Sequence, residues 1–361
     1  MAPLFLARIS PVVLIFSYFY VLRTGTYYFV QKKTNLITLL VLGIHLAFGQ
    51  DVSFSQFYAN PMYLNPAFAG SEGAPRVALQ YRNQWHQFDN AFTTYSVAAD
   101  LPVESLEGGL GLQVMNDAQA GNLLNQLQLN LAYAVFIQLS REYRIHAGLQ
   151  GGYHQNSLKT NELIFADNLD INYGNHGSTA EIITEPNYSY ADFSMGLLVY
   201  SKRLFFGGAI HHLTEPSQSY APDNAANNQL DRKYTLHAGA RLPVFRHGHL
   251  RKKFDVSPQL ILQQQGISNQ INYGMFATKR GLTAGAWLRQ NFGIRYDAII
   301  FLVGFVNNRM QFTYSYDWTI SGLWGQSGGT SEVSLAFLLK SKRKKGYFPF
   351  SNSYEEEFGA P

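Results

Sequence analysis

Gln126–Leu139 reads QLQLNLAYAVFIQL. Leu127, Leu129, Leu131, Tyr133, Val135, Ile137 and Leu139 fall on one face of this stretch. Gln126, Gln128, Asn130, Ala132, Ala134, Phe136 and Gln138 fall on the other. A period of two is that of an extended chain with opposite faces in different surroundings. The pattern recurs upstream, where Val77, Leu79 and Tyr81 oppose Arg76, Gln80 and Arg82. It recurs downstream in Arg144–His154, Lys233–Leu242, Met310–Thr319 and Val333–Leu339. The polar faces hold Gln, Asn, Thr, Ser, Gly and Arg, with few Lys–Glu pairs. That composition suits a hydrated lumen better than a surface in bulk water. Tyr, Phe and Trp near strand ends suit the aromatic girdles of a membrane-spanning barrel.

Composition agrees. The chain has 361 residues, 23 Tyr and 26 Phe, and its mean hydropathy is −0.13. Charged residues make up 14%, against about 25% in soluble domains. Lipid-facing apolar and lumen-facing polar residues cancel in such an average, which also argues against a helical membrane protein. On composition alone a large soluble β-sandwich fits as well; the polar face separates the two. Cysteine is absent, which rules out disulfides, thiolate metal sites and a Cys nucleophile. The net charge of +4 is partly in the terminal run Lys340–Lys345 rather than on a basic, aromatic-interleaved face, so nucleic acid is not an expected partner.

About fourteen strands are expected, an even number as in single-chain bacterial barrels. They lie near 76–84, 92–100, 108–115, 124–138, 143–153, 192–200, 203–212, 233–243, 253–264, 268–277, 281–290, 295–306, 309–318 and 331–339. The fold class is thus an all-β transmembrane antiparallel barrel over 76–339. Phe165–Ala191 and His212–Arg232 are long polar inserts after strands five and seven, placing both on the outer side. Arg246–Lys253 is a basic turn on the periplasmic side. Residues 340–361 read as a flexible tail.

Residues 1–50 read as an extension plus an export signal. Lys32 and Lys33 precede an apolar run from Leu36 to Phe48 and a small-residue context, placing cleavage near 49–51. The apolar stretch before Lys32 fits either a start assigned upstream of the true one or a membrane helix.

Between signal and barrel, residues 51–75 are irregular: DVSFSQFYANPMYLNPAFAGSEGAP. Asn60-Pro61 and Asn65-Pro66 initiate turns. Phe54, Phe57, Tyr58, Tyr63, Leu64 and Phe68 are apolar anchors without a sustained period. Two readings stand: a lead-in to the first strand, or a plug-like segment inside or across a barrel mouth, at the periplasmic end. In the second, buried Asn60 and Asn65 need hydrogen-bond partners. Arg82 and Asn83 are candidates to latch the segment, with Trp85 as an interfacial anchor. The expected plug and latch residues are Gln56, Asn60, Pro61, Asn65, Pro66, Arg82, Asn83 and Trp85.

These residues also carry a family resemblance. Phe54-Ser55-Gln56, Asn60-Pro61, Tyr63-Leu64-Asn65-Pro66-Ala67 and Ala69-Gly70, followed by Tyr81-Arg82-Asn83-Gln84-Trp85, resemble the PorP/SprF family of type IX secretion. Gly109-Leu110-Gly111, Asn116-Asp117 with Gly121, Ala132-Tyr133-Ala134, and Tyr314-Ser315-Tyr316-Asp317 with Gly329 and Glu332 extend it over about Asp51 to Leu339. Thr313 stands where the family has Gly, and Ser331 where it has His. The resemblance implies a barrel in the outer membrane of Bacteroidota-type cells, supporting type IX secretion or gliding motility. It implies as partners an exported surface protein (the cargo), a periplasmic peptidoglycan-associated protein and outer-membrane lipid. A porin-like solute channel, and a core secretion component serving many substrates, are the alternatives.

Chemical motifs are weak. His211-His212 on a strand point to opposite faces and cannot readily share one ion. His247 and His249 lack a nearby carboxylate. Asp167, Asn168, Asp170 and Asn172 lack the full calcium-loop spacing. No Gly-x-Ser-x-Gly elbow occurs, and Gln326-Ser327-Gly328-Gly329 lacks a strand–turn–helix setting. No cofactor, metal or enzymatic activity is expected.

Overall fold

The computed structural model describes residues 51–88, 90–163, 169–170, 174–175, 186–218, 229–245, 252–307 and 309–339. The extension and signal at 1–50, the tail at 340–361, His247, His249, Asp167, Asn168 and Asn172 lie outside the described residues.

Fourteen antiparallel strands close into a barrel. They are β1 (Arg76–Gln84), β2 (Phe92–Val103), β3 (Gly108–Gln119), β4 (Leu124–Gln138), β5 (Arg144–Leu158), β6 (Asn187–Tyr200) and β7 (Leu204–His211). The wall continues with β8 (Lys233–Ala240), β9 (Lys252–Gln265), β10 (Ser268–Lys279), β11 (Leu282–Gln290), β12 (Tyr296–Val306), β13 (Met310–Thr319) and β14 (Thr330–Leu338). Each strand pairs with its sequence neighbours, and β1 closes the wall against β14 with Arg82 opposite Glu332. Closure leaves no open sheet edge in the membrane.

One short strand, Leu242–Phe245, stands apart only formally. Gly239 faces Gln259 and Leu242 faces Val256 in one unbroken register, so this strand continues β8. The ladder lapses over Ala240 and Arg241, opposite Pro258 and Ser257, and Pro258 has no N–H to donate.

Strand parity sorts the connections into two rims. The turns after β2, β4, β6, β8, β10 and β12 lie at the end where β1 begins, here the terminus-side rim. The connections after β5 and β7, the longest, lie at the opposite, loop-side rim. The ladder between β5 and β6 reaches Ser157 opposite Asn187, so the insert expected to run to Ala191 stops short of it. These extra rungs carry Gln155, Asn156, Tyr188 and Tyr190. They escaped the alternation rule because the exposed positions beside them, Asn187 and Ser189, are polar rather than apolar.

Outward positions on β4 are Leu127, Leu129, Leu131, Tyr133 and Ile137, all exposed on the outer face. The inner face departs from the hydrated lumen expected. Ile261, Phe276, Trp287, Ile300, Leu302, Leu198 and Phe205 point inward and are buried with Phe57, Tyr58, Leu64 and Phe68 in one apolar cluster. On this side the barrel has a core.

Candidate functional site

That core exists because residues 51–75 run through the barrel as a strap, and none of them is exposed. The two Asn-Pro pairs set its path. Pro61 opens a single α-helical turn, α1 (Pro61–Leu64), and Pro66 opens a 3-10 turn over Pro66–Phe68. Proline at the first helical position has the right φ and no N–H to leave unpaired in a dry interior. Asn65 caps the second turn: its Oδ1 accepts from the Ala67 N–H at 2.9 Å, and its own N–H donates to Pro61 O at 2.9 Å.

At the loop-side half the strap meets a buried ionic clasp. Glu332 accepts from the Ser55 N–H at 2.9 Å, the Gln56 N–H at 3.0 Å, Arg82 Nη1 at 3.0 Å and the Gln80 amide. The Ser55 hydroxyl donates to Asp317 at 2.6 Å and accepts from Arg82 and from Arg289 Nη2 at 2.7 Å. Arg289 also binds Asp317 at 2.9 Å. Gln56 donates to Ser315 Oγ and Glu332 O and accepts from Ser334. Two arginines thus face two carboxylates and strap backbone donors add to the shell, while Arg82 Nε and Asp317 Oδ1 stay buried without a partner. A buried charge is tolerated only when paired and hydrogen-bonded in this way.

Midway, the Asn60 amide donates to Ser96 Oγ at 3.0 Å and accepts from Gln113 at 2.8 Å. The Asn65 amide donates to Leu197 O, Gly208 O and His237 Nε2 at 3.0–3.1 Å. The strap then presses against the wall at glycines. A Cβ on Gly148 would collide with the Pro66–Ala67 backbone, and one on Gly109 with Ala69 and Gly70. At the terminus-side rim Asp100 accepts from the Gly70 N–H at 2.9 Å and from Arg76 Nε at 2.8 Å, and Arg76 also pairs with Glu72.

The other end of the strap reaches the loop-side rim. Asp51 binds His212 Nε2 at 2.9 Å and Lys233 Nζ at 3.3 Å, and its N–H donates to Gln265. His212 Nδ1 contacts Asp192 at 2.8 Å. Burial would depress the His212 pKa, but Asp51 and Asp192 outweigh it and raise it to about 9. Burial would raise the Asp51 carboxyl, but His212 and Lys233 hold it well below the usual range. The segment therefore traverses the barrel instead of lining the periplasmic end, the placement expected from sequence.

Of the expected residues, Gln56, Asn60, Pro61, Asn65, Pro66 and Arg82 lie in the interior. Asn83 shares the outward parity of Leu79 and Tyr81, so it cannot reach the strap. Trp85 sits past β1 with φ +60°, its N–H donating to Gly329 O and its ring edge-on to Phe88 and Phe92. Arg82 grips Ser55 rather than either Asn. His211 contacts Leu64 O at 3.3 Å while His212 turns to the carboxylates, so the two do not converge. Among the described residues no group of His, Asp and Glu is arranged to hold a metal ion. Sequence reasoning quoted Ser55 and Asp317 within family motifs but gave them no role, and it missed Arg289. A lone Glu332 on the Thr/Ser face of the last strand was the available signal.

A closed antiparallel barrel with an apolar outer band defines an integral outer-membrane protein, here one whose lumen is threaded by its own N-terminal segment. The family model for the type IX secretion system membrane protein PorP/SprF matches residues 46–337. The chain belongs to this family. No curated protein matches it significantly. Among solved structures, it is similar to the TodX deltaS2S3 mutant monoaromatic hydrocarbon channel (10% identity, 81% of this chain and 96% of that chain, TM-score 0.42). It is also similar to the Acinetobacter baumannii outer membrane protein Omp33 (8%, 75% and 100%, 0.39).

Proposed function

We propose that this outer-membrane barrel is an anchor rather than a conduit. It retains an exported surface protein at its loop-side rim and docks a periplasmic peptidoglycan-associated protein at its terminus-side rim. Family membership supports the setting. The strap carries the reading: a lumen crossed by a segment hydrogen-bonded to both rims has little room for solute flow. The connections after β5 and β7 share the rim that faces the cell exterior in barrels of this kind. The protein then acts by binding, with no turnover and no cofactor, in secretion and gliding. Residues 1–50 would act as extension and export signal, removed near 49–51; N-terminal sequencing of the mature protein tests this.

Two measurements test the anchor. In planar lipid bilayers the purified protein is expected to give no large, stable current; such a current would make it a solute channel. Deleting the gene is expected to release one exported protein from the cell surface. Loss of many would assign it to the core secretion machine, and loss of none would end the anchoring idea.

A further inference from the structure

On the outer face near the terminus-side rim, an apolar groove of about 580 Å³ lies across β6–β9. Its floor is made by small outward side chains, Ala238, Ala240 and Pro258, and its banks by Leu204, Phe206 and Leu260. The groove occurs where Pro258 interrupts the β8–β9 ladder. Two further apolar grooves, of about 680 and 750 Å³, lie on the same face across β2–β6 and β4–β8; this one is set apart by the basic turn at its end. Ser201 and Leu204 both line it, so the two residues between them, Lys202 and Arg203, stand at its mouth, and both are exposed. Tyr143 closes the mouth from the adjacent turn, next to exposed Arg141.

We infer that this groove is a binding site for one anionic phospholipid of the inner leaflet. This goes beyond the anchoring role and does not depend on it. The terminus-side rim of an outer-membrane barrel lies at the periplasmic headgroup level. An apolar trough there opens to hydrocarbon and takes an acyl chain, and a Lys–Arg pair at its headgroup end selects a phosphate with no compensating cation. The zwitterionic headgroup of phosphatidylethanolamine carries its own ammonium and satisfies that pair less well.

The test is native mass spectrometry of the detergent-purified barrel titrated with phosphatidylglycerol or phosphatidylethanolamine. The wild type is expected to retain one phosphatidylglycerol in preference. Lys202→Gln/Arg203→Gln is expected to reduce that retention about tenfold or more, since each basic side chain near the surface contributes on the order of 1 kcal/mol. Ala238→Leu, which fills the groove without changing charge, is expected to lose the lipid too. Arg309→Glu, which removes as much charge on the turn between β12 and β13, should leave it bound. Equal retention of the two lipids by the wild type overturns the site. So does equal loss in both charge variants, which would mean diffuse attraction to a basic rim. Heat-modifiable gel mobility confirms that each variant is folded.

Discussion

From Asp51 to Gln56 the strap touches the wall through carboxylates, guanidinium groups and amides. From Phe57 to Phe68 it touches the wall chiefly through rings and methyl groups, with Phe57 on Trp287 and Tyr58 on Phe276 at centroid separations of 5.9 and 5.8 Å. The two halves fail differently. Apolar packing degrades in proportion to the atoms removed. An ion cluster fails abruptly, because deleting one member strands the rest in a dry interior. The ionic half therefore fixes register, and the apolar half supplies adhesion.

The contrast can be broken from either side. Glu332→Ala has the largest expected effect, about 3–5 kcal/mol of destabilisation, because Arg82 and two strap amides lose their acceptor. Denaturant unfolding of the reconstituted barrel measures it, and an unchanged midpoint would show that the clasp holds nothing. Phe68→Ala is expected to cost about 3 kcal/mol by the cavity it leaves. Limited proteolysis should then still find Asp51–Gln56 protected. Cleavage there would mean that the halves are not separable. Asn65→Ala should cost about 1–3 kcal/mol, since His237 and two wall carbonyls lose a donor, and the melting temperature in detergent reads this.

The smallest effect is pH-dependent and confined to the Asp51 end. The folded pKa of His212 is raised to about 9, so its contribution is fully present below the unfolded value near 6.5. It is lost as pH rises through about 9. Asp51 works in the opposite sense, its contribution vanishing only in acid. The melting temperature is expected to fall between pH 7 and pH 10 in the wild type, and by less in His212→Asn. Parallel curves would remove His212 from the account.

The barrel was legible where its two faces see different solvents. In β4, lipid and polar interior produce strict alternation. In β12, IIFLV over Ile299–Val303 is apolar on both faces, because Ile300 and Leu302 meet the strap. Periodicity cannot distinguish that from any apolar run. The strap's composition marked it as buried, but its partners carry no local signal. Asn65 binds carbonyls 132 and 143 residues away, and carbonyls have no residue identity. Asn83 was a legible miss, since the parity that turns Arg82 inward turns its neighbour out. The clasp was half legible: Arg82, Asp317 and Glu332 belong to recognisable motifs, whereas Arg289 looked like an ordinary polar-face residue.

The position of Glu332 also constrains how the molecule is assembled. Arg82 and Glu332 face each other across the seam where the first strand meets the last, 250 residues apart in the chain. If that seam zipped first, Glu332 would be enclosed without the Ser55 and Gln56 amides, and the strap would have to thread a finished cylinder. With the strap seated beforehand, it serves as a mandrel: the wall wraps around it and the final strand finds its register on donors already in place. Closure and seating then form one cooperative step, and a barrel that lacks its strap would stall at the seam.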